Sequence, residues 1–388
     1  MTPAAGPISL EMATWSAKVG IPRLTFGAGT LDQLGTIARQ LRGTRALLVA
    51  DPGVRRAGHS ERAEASLRAA GLRVLLFDRV EENPTTRHVE EAARAALGFG
   101  VDVILGLGGG SAMDTAKGAN FLVTNGGRME DYWGTNRATK PLLPSAGVPT
   151  TAGTGSEAQS YAVIEQEASR RKMACGDDKA RFRAVILDPD LTATAPRHVA
   201  ATSGLDAIAH AVESHVTTRR SPLSQLLSRE AWRLLAPSFI PALDDPSDGA
   251  ARGRMLFGAF LAGAAIESSM LGAAHACANP LTSRYGVTHG AAVLLLLPHV
   301  VRYNAATVGA LYDDLLGAYP GPGASEALPE LLERLRRAAR LPASLREAGI
   351  PDAALPDLAR DAAEQWTGTF NPRPVGEPEL RRLYEDAY

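Results

Sequence analysis

Residues 101–118, VDVILGLGGGSAMDTAKG, decide the fold. The first nine, VDVILGLGG, read as a short buried strand, apolar and bounded by glycine. It ends in three consecutive glycines, Gly108, Gly109 and the next residue Gly110, then Ser111 and a stretch of helical composition. Glycine lets a backbone turn tightly and come close to a pyrophosphate, whose charge the amides at a helix start stabilise. A plain strand-to-helix turn is the alternative, and three glycines with Ser111 at the helix start disfavour it. The spacing is not GxGxxG, and Lys117 stands too far along for a Walker loop. By itself the segment indicates a phosphate-bearing nucleotide.

Working outward, RALLVAD reads as a strand ending at Asp51, and SERAEASLRAAG as a helix closed by Gly71. LRVLLFDRV is the next strand and TRHVEEAARAALGFG the next helix. Strand–helix alternation at this period predicts a Rossmann-like parallel sheet. Further short strands are expected over 142–149, 162–165 and 183–187. After Asp188-Pro189 the pattern becomes helical, in ATSGLDAIAHAVESHVT, SQLLSREAWRLLAPSFIPAL, GRMLFGAFLAGAAIESSM and EALPELLERLRRAARL. The expectation is an α/β nucleotide-binding domain over 1–192 and an all-helical domain over 193–388, with the active site in the cleft between them.

The chain has 388 residues, 45% apolar and 21% charged, with a net charge of −1. Two domains fit that length, and no basic field suggests nucleic acid or an anionic membrane surface. Two cysteines, Cys175 and Cys277, suit a reducing cytoplasm without a disulfide framework. The stretch MTPAAGPISLEMATW has neither the charged nor the apolar region of a secretory leader. The longest apolar run, 291–297, is too short to span a bilayer.

Asp51, at a strand end, can accept from an adenosine ribose hydroxyl and would repel a 2′-phosphate, favouring NAD over NADP. Equally, it can cap the turn at Pro52-Gly53. PTTAGTGSEAQ places Thr150, Thr151, Thr154 and Ser156 in one loop, able to bond phosphate, ribose or carboxamide, or simply to form hydroxyl-stabilised turns. Asp206 and His210, at i and i+4, point from one face of a helix. His275 and His289 are fourteen residues apart around a Pro- and Gly-containing turn. Each has an ordinary alternative: Asp206 as a capping acid after Ser203, the histidines as core residues. Together, one carboxylate and three imidazoles make a cage for a divalent metal that is not thiol-loving, Fe(II) or Zn(II). His198, His215 and His299 are read as structural or solvent-facing.

With GLGGGSAMDTAKG, PTTAGTGSE, ILDPDLTATAP, GLDAIAHAVESHV, HACANPL…YGVTHG, LPHVVRYN and NPRPVGEPEL in collinear order, and FGAGTLDQLG near the start, the chain resembles the iron-containing (group III) alcohol dehydrogenase family. The resemblance runs from about residue 20 to the C-terminus. It implies an NAD-linked alcohol dehydrogenase or aldehyde reductase, working as a homodimer on a small alcohol, aldehyde or ketone. It places the metal ligands on Asp206, His210, His275 and His289, and the pyrophosphate loop on Gly108, Gly109, Gly110 and Ser111 with Asp114 close by. It also puts Thr150, Thr151 and Thr154 beside the nicotinamide and Lys172 on the cofactor.

The sequence departs from the family at the substrate side. A histidine common four residues after the third ligand is Asn279 here, which hydrogen-bonds but exchanges no proton near pH 7. A position often aromatic is Ile266, and Tyr161 stands where smaller polar residues are common. A glycerol or polyol dehydrogenase is the alternative activity, disfavoured by the fourth ligand. A dehydroquinate-synthase-like lyase would need several cations beside the metal, where only Arg284 is offered. A non-catalytic NAD-binding protein is disfavoured by the intact ligand set.

Overall fold

The computed structural model describes residues 22–169, 171–318 and 327–388; the N-terminal stretch inspected for a leader lies outside them. The first half runs β1 (Arg23–Phe26), α1 (Leu34–Gln40), β2 (Arg45–Val49), α2 (Pro52–Arg56), α3 (His59–Ala69), β3 (Arg73–Phe77), α4 (Thr86–Phe99), β4 (Val103–Gly108) and α5 (Gly110–Asn125). Then come β5 (Gly134–Thr135), β6 (Ser145–Pro149), β7 (Tyr161–Glu165), β8 (Lys172–Gly176), β9 (Ala184–Leu187) and α6 (Pro189–Thr192). The second half holds α7 (Arg197–Val216), α8 (Pro222–Asp244), α9 (Gly249–Glu267), α10 (Ala273–Tyr285), α11 (His289–Gly317), α12 (Leu328–Ala338), α13 (Leu355–Ala363) and α14 (Glu377–Asp386).

Six strands form one sheet in the order β1-β9-β6-β4-β2-β3, every pairing parallel. A parallel sheet must be covered on both faces, and the period of two sorts the strand residues accordingly. Ile104 packs with Val89 and Met113 toward α4 and α5, while Val103 and Leu105 pack with Leu34 and Leu67 toward α1 and α3. The strand order reverses between β2 and β4, which opens a crevice at their carboxyl ends. Asp51 and Gly108 meet there.

Two features depart from the sequence reading. The strand expected at 162–165 leaves the main sheet and pairs antiparallel with β8, in a small sheet ordered β5-β8-β7. The helix α11 is long and apolar enough, by length and composition, to cross a bilayer, with a mean hydropathy of 1.4. Yet 67% of its apolar 18-residue window is buried, in the core shared with α7 and α10.

The halves are joined through α9, whose Leu256, Phe260 and Ala264 belong to the core of the α/β half. Burying such leucine and phenylalanine side chains contributes about 1.5–3 kcal/mol each. The loop after β6 also touches the helical half backbone to backbone. A Cβ on Gly155 would come within 2.5 Å of Gly263 Cα, and one on Gly153 within 2.4 Å of Ser203 Cβ.

Candidate active site

Helix α7 carries Asp206, His210 and Glu213 at i, i+4 and i+7, one face of a buried helix. Ser203 lies inside α7 and returns its hydroxyl to Val199 O at 2.7 Å, so Asp206 is not a capping acid. His275 sits in the first turn of α10 and His289 begins α11. The residue after His289 must be small, because a Cβ on Gly290 would fall 1.9 Å from Thr202 O on α7.

The three imidazoles converge on a single carboxylate oxygen. Nε2 of His210 and of His275 each lie 3.3 Å from Asp206 Oδ1, and His289 Nε2 lies 3.8 Å from it. Asp206, His210 and His275 are buried and form the compact group, their ligand atoms within 4.8 Å of one another. His289 stands at the rim, with 31% of its side chain exposed.

Glu213, which the sequence reading did not single out, orients this cage. Its carboxylate accepts from His275 Nδ1–H and, at 2.9 Å, from the Ala274 amide. Binding Nδ1 in this way turns the Nε2 lone pair toward the cage. The carboxylate also sits at the N-terminal end of α10, where the helix dipole favours negative charge. The spacing GLDAIAHAVE held the clue, since Glu213 shares the Asp206–His210 face.

Electrostatics fit a cation. Burial lowers His210 to about 4 and His289 to about 3, so both are neutral at physiological pH with lone pairs to give. Burial opposes charge on His275, but Glu213 and Asp206 outweigh it and raise the ring to about 9. Burial likewise works to raise Asp206, but the imidazoles, His210 first, hold its carboxyl well below the usual range. One oxygen and three nitrogens, without a thiolate, suit Fe(II) or Zn(II).

The cage opens into a cleft of about 350 Å³ that also reaches the start of α5, through Gly110, Ser111 and Asp114. Gly108 has φ +150°, and a Cβ on it would lie 3.0 Å from Asp51 Oδ2. A Cβ on Gly110 would lie 2.8 Å from Thr154 Cγ2. No side chain caps α5, so its first amides remain available to an anion.

Among the residues expected at the cofactor, Gly110, Ser111, Asp114, Thr154 and Lys172 line the cleft. Asp51 does what its ordinary alternative predicted: Oδ1 caps α2, accepting from Gly53 N at 2.7 Å and Val54 N at 3.0 Å. Thr150 is buried under Gly108, its amide on Gly108 O, and does not line the cleft. Thr151 packs on Gly109 and lines a separate cavity toward α7 and α8. Ser156 bonds Asp114 Oδ1 at 2.6 Å and begins a single 3₁₀ turn.

Lys117 has a structural task. Buried, it donates to Ser156 O, Ser156 Oγ and Tyr161 O at 2.7, 3.0 and 2.7 Å, tying the hydroxyl loop to α5. Glu267, also unforeseen, accepts from Ser160 N at 3.0 Å, Ser160 Oγ at 2.8 Å and Arg181, joining the end of α9 to the α/β half.

Tyr161, Ile266 and Asn279 all line the cleft. Asn279 donates Nδ2–H to Gln365 Oε1 at 3.0 Å. Of the remaining histidines, His215 bonds Ser228 Oγ at 2.9 Å, away from the cage.

Comparison with known proteins agrees with this architecture. The family profile described as iron-containing alcohol dehydrogenase matches residues 22–189, and the one described as Fe-containing alcohol dehydrogenase family, C-terminal, matches residues 200–388. The chain is 30% identical over 373 residues to NAD-dependent methanol dehydrogenase of Bacillus methanolicus, aligning 94% of this chain and 98% of that one. It is 33% identical over 384 residues to long-chain-alcohol dehydrogenase 1 of Geobacillus thermodenitrificans, with 96% and 97% aligned. The crystal structure of 1,3-propanediol oxidoreductase superposes with a TM-score of 0.92 at 30% identity, covering 97% of this chain and 100% of that one. The chain belongs to the iron-containing alcohol dehydrogenase family.

Proposed function

We propose that the cleft performs NAD-linked oxidation of an alcohol and, in reverse, reduction of an aldehyde or ketone, with a divalent ion held by Asp206, His210, His275 and His289. One observation carries this reading: three Nε2 atoms gather on one Asp206 oxygen inside the cleft that also holds the start of α5. Bound there, the ion supplies Lewis acidity and the nicotinamide supplies a hydride acceptor.

The chain's own residues do the rest. The amides at the start of α5 take the pyrophosphate, and Ser111, Thr154 and Lys172 surround the path from there to the cage. Asp51 supports NAD over NADP, because its Oδ2 faces Gly108 while Oδ1 caps α2. Ile266 and Met270 present apolar surface to the cleft and keep water from the reacting carbon. Asn279 holds position through Gln365 and moves no proton. The proton released on oxidation leaves past His289, the most exposed of the four cage residues.

Membership of the iron-containing family favours Fe(II), with Zn(II) second for this donor set. Two buried free thiols support the reading of a cytoplasmic enzyme, and a homodimer is the proposed assembly. The test is anaerobic loading with Fe(II) or Zn(II), followed by NADH absorbance with a panel of alcohols and aldehydes. Turnover with metal is expected, together with loss of both turnover and bound metal in His275→Ala. Wild-type turnover by metal-free His275→Ala overturns the proposal.

A further inference from the structure

Resting on that reading of the cleft, we infer that Trp366 and Tyr161 form an aromatic wall that selects uncharged alcohols and aldehydes bearing an unbranched apolar chain. The two side chains come from opposite halves. Tyr161 begins β7, and Trp366 follows α13 in the helical half. Their ring centroids lie 6.1 Å apart at an interplanar angle of 31°, and both line the cleft that contains the cage. Trp366 is 42% exposed, one of the few large apolar side chains on the surface of the described residues. An exposed indole facing a cleft has apolar area to gain by covering it.

Neighbouring side chains hold the wall in place. Trp366 meets Phe370 edge-on at 5.6 Å. Gln365, directly before it, accepts from Asn279 Nδ2–H. Asn279 is one helical turn beyond His275, on the same face of α10. The wall is therefore tied to the helix that carries a cage histidine. Facing it, Ile266 and Met270 complete an apolar channel.

Charge decides against anionic substrates. Lys172 is the one lysine or arginine among the described residues lining the cleft. It is answered by carboxylates: Glu165, its register partner across β7 and β8, then Asp206 and Asp114. Glu267 is engaged with Ser160 and Arg181. A second anionic group on a substrate, such as a sulfonate, would find no unanswered lysine or arginine in the lining; Arg219 lies behind the wall, over the Phe370 ring.

The test uses full-length, metal-loaded enzyme with ethanol, 1-butanol, 1-hexanol, 1,3-propanediol and a sulfonated aldehyde. In the wild type, kcat/KM is expected to rise about fourfold per methylene along the linear series. In Trp366→Ala the hexanol-to-ethanol ratio is expected to fall by about tenfold or more, with recovery in Trp366→Phe. The ratio is read in Trp366→Ala protein whose melting temperature matches the wild type, so that loss of fold is recognised independently of it. Binding is read separately, as quenching of tryptophan fluorescence by 1-hexanol in the presence of NADH, absent in Trp366→Phe. A flat chain-length series, a preference for 1,3-propanediol or the sulfonated aldehyde, or an unchanged ratio in Trp366→Ala overturns the wall. Hexanol-dependent quenching without turnover of any substrate supports the wall and overturns the hydride-transfer reading instead.

Discussion

Replacing Glu213 by glutamine changes one charge beside the metal cage and little else in shape. In the native site its carboxylate accepts two hydrogen bonds, from His275 Nδ1–H and from Ala274 N. Glutamine offers one acceptor oxygen and an amide that can only donate. One of the two donors is then left facing a donor, at a cost of about 1–3 kcal/mol in fold stability. The separate effect on the metal comes from the weaker basicity of Nε2, and is expected at about 10–100-fold in dissociation constant. The carboxylate also raises His275 to about 9, so below that pH an incoming ion competes with a proton in the wild type more than in the variant. The comparison therefore belongs above pH 9, where the ring is unprotonated in both proteins. Zn(II) titration against a chromophoric chelator measures it, with Glu213→Asp as the charge-retaining control. Equal Zn(II) affinity in Glu213→Gln and wild type above pH 9, with His275→Ala clearly weakened, would reduce Glu213 to a cap for α10 and refute the reasoning.

Three further outcomes are expected. The metal-free protein should show its highest melting temperature near pH 6.5 as far as the cage contributes. Below that pH the unfolded chain binds protons that His210 and His289 refuse; above it, stability from His275, on the order of 3 kcal/mol, is lost as pH rises through about 9. A melting curve series that rises steadily from pH 5 to 9 contradicts this. Asp51→Ser keeps a capping oxygen for α2 while removing the charge, so kcat/KM with NADP should gain about tenfold or more relative to NAD; an unchanged ratio argues against Asp51 as the discriminating residue. Gly110→Ala pushes a methyl into Thr154 and should weaken NADH binding on the order of tenfold by calorimetry, with metal content retained.

What could be read from the chain alone follows from periodicity and local spacing. The strands around RALLVAD and VDVILGLGG are continuous apolar runs, so burial on both faces left a clear trace. The cage was legible because α7 supplies two ligands at helical spacing. Glu213 shares that face, but an acid among helical residues looks the same whether it meets solvent or an imidazole. Lys117 and Glu267 act across 39 and 107 residues of sequence, toward Ser156 and Ser160, and no local pattern announces such a partner. β8 went unseen because KMACG is short and follows the polar run EASRRK. Thr150 shows the opposite error: a hydroxyl in a glycine loop looked available for a ligand, but the chain turns it inward.

The contact of the β6 loop with the helical half has a thermodynamic consequence. Gly153 presses on Ser203, three residues before Asp206, and Gly155 presses on Gly263, three residues before Ile266. The loop that borders the cleft through Thr154 and Ser156 is thus backed by α7, which carries Asp206 and His210, and by α9, which carries Ile266, with no room at Gly153 or Gly155 for even a methyl group. A displacement of that loop would press directly on α7. Such coupling between two binding events is reciprocal: whatever factor the dinucleotide adds to metal affinity, the metal adds to dinucleotide affinity. Cofactor and ion affinities therefore form a linked pair, each to be measured with and without the other.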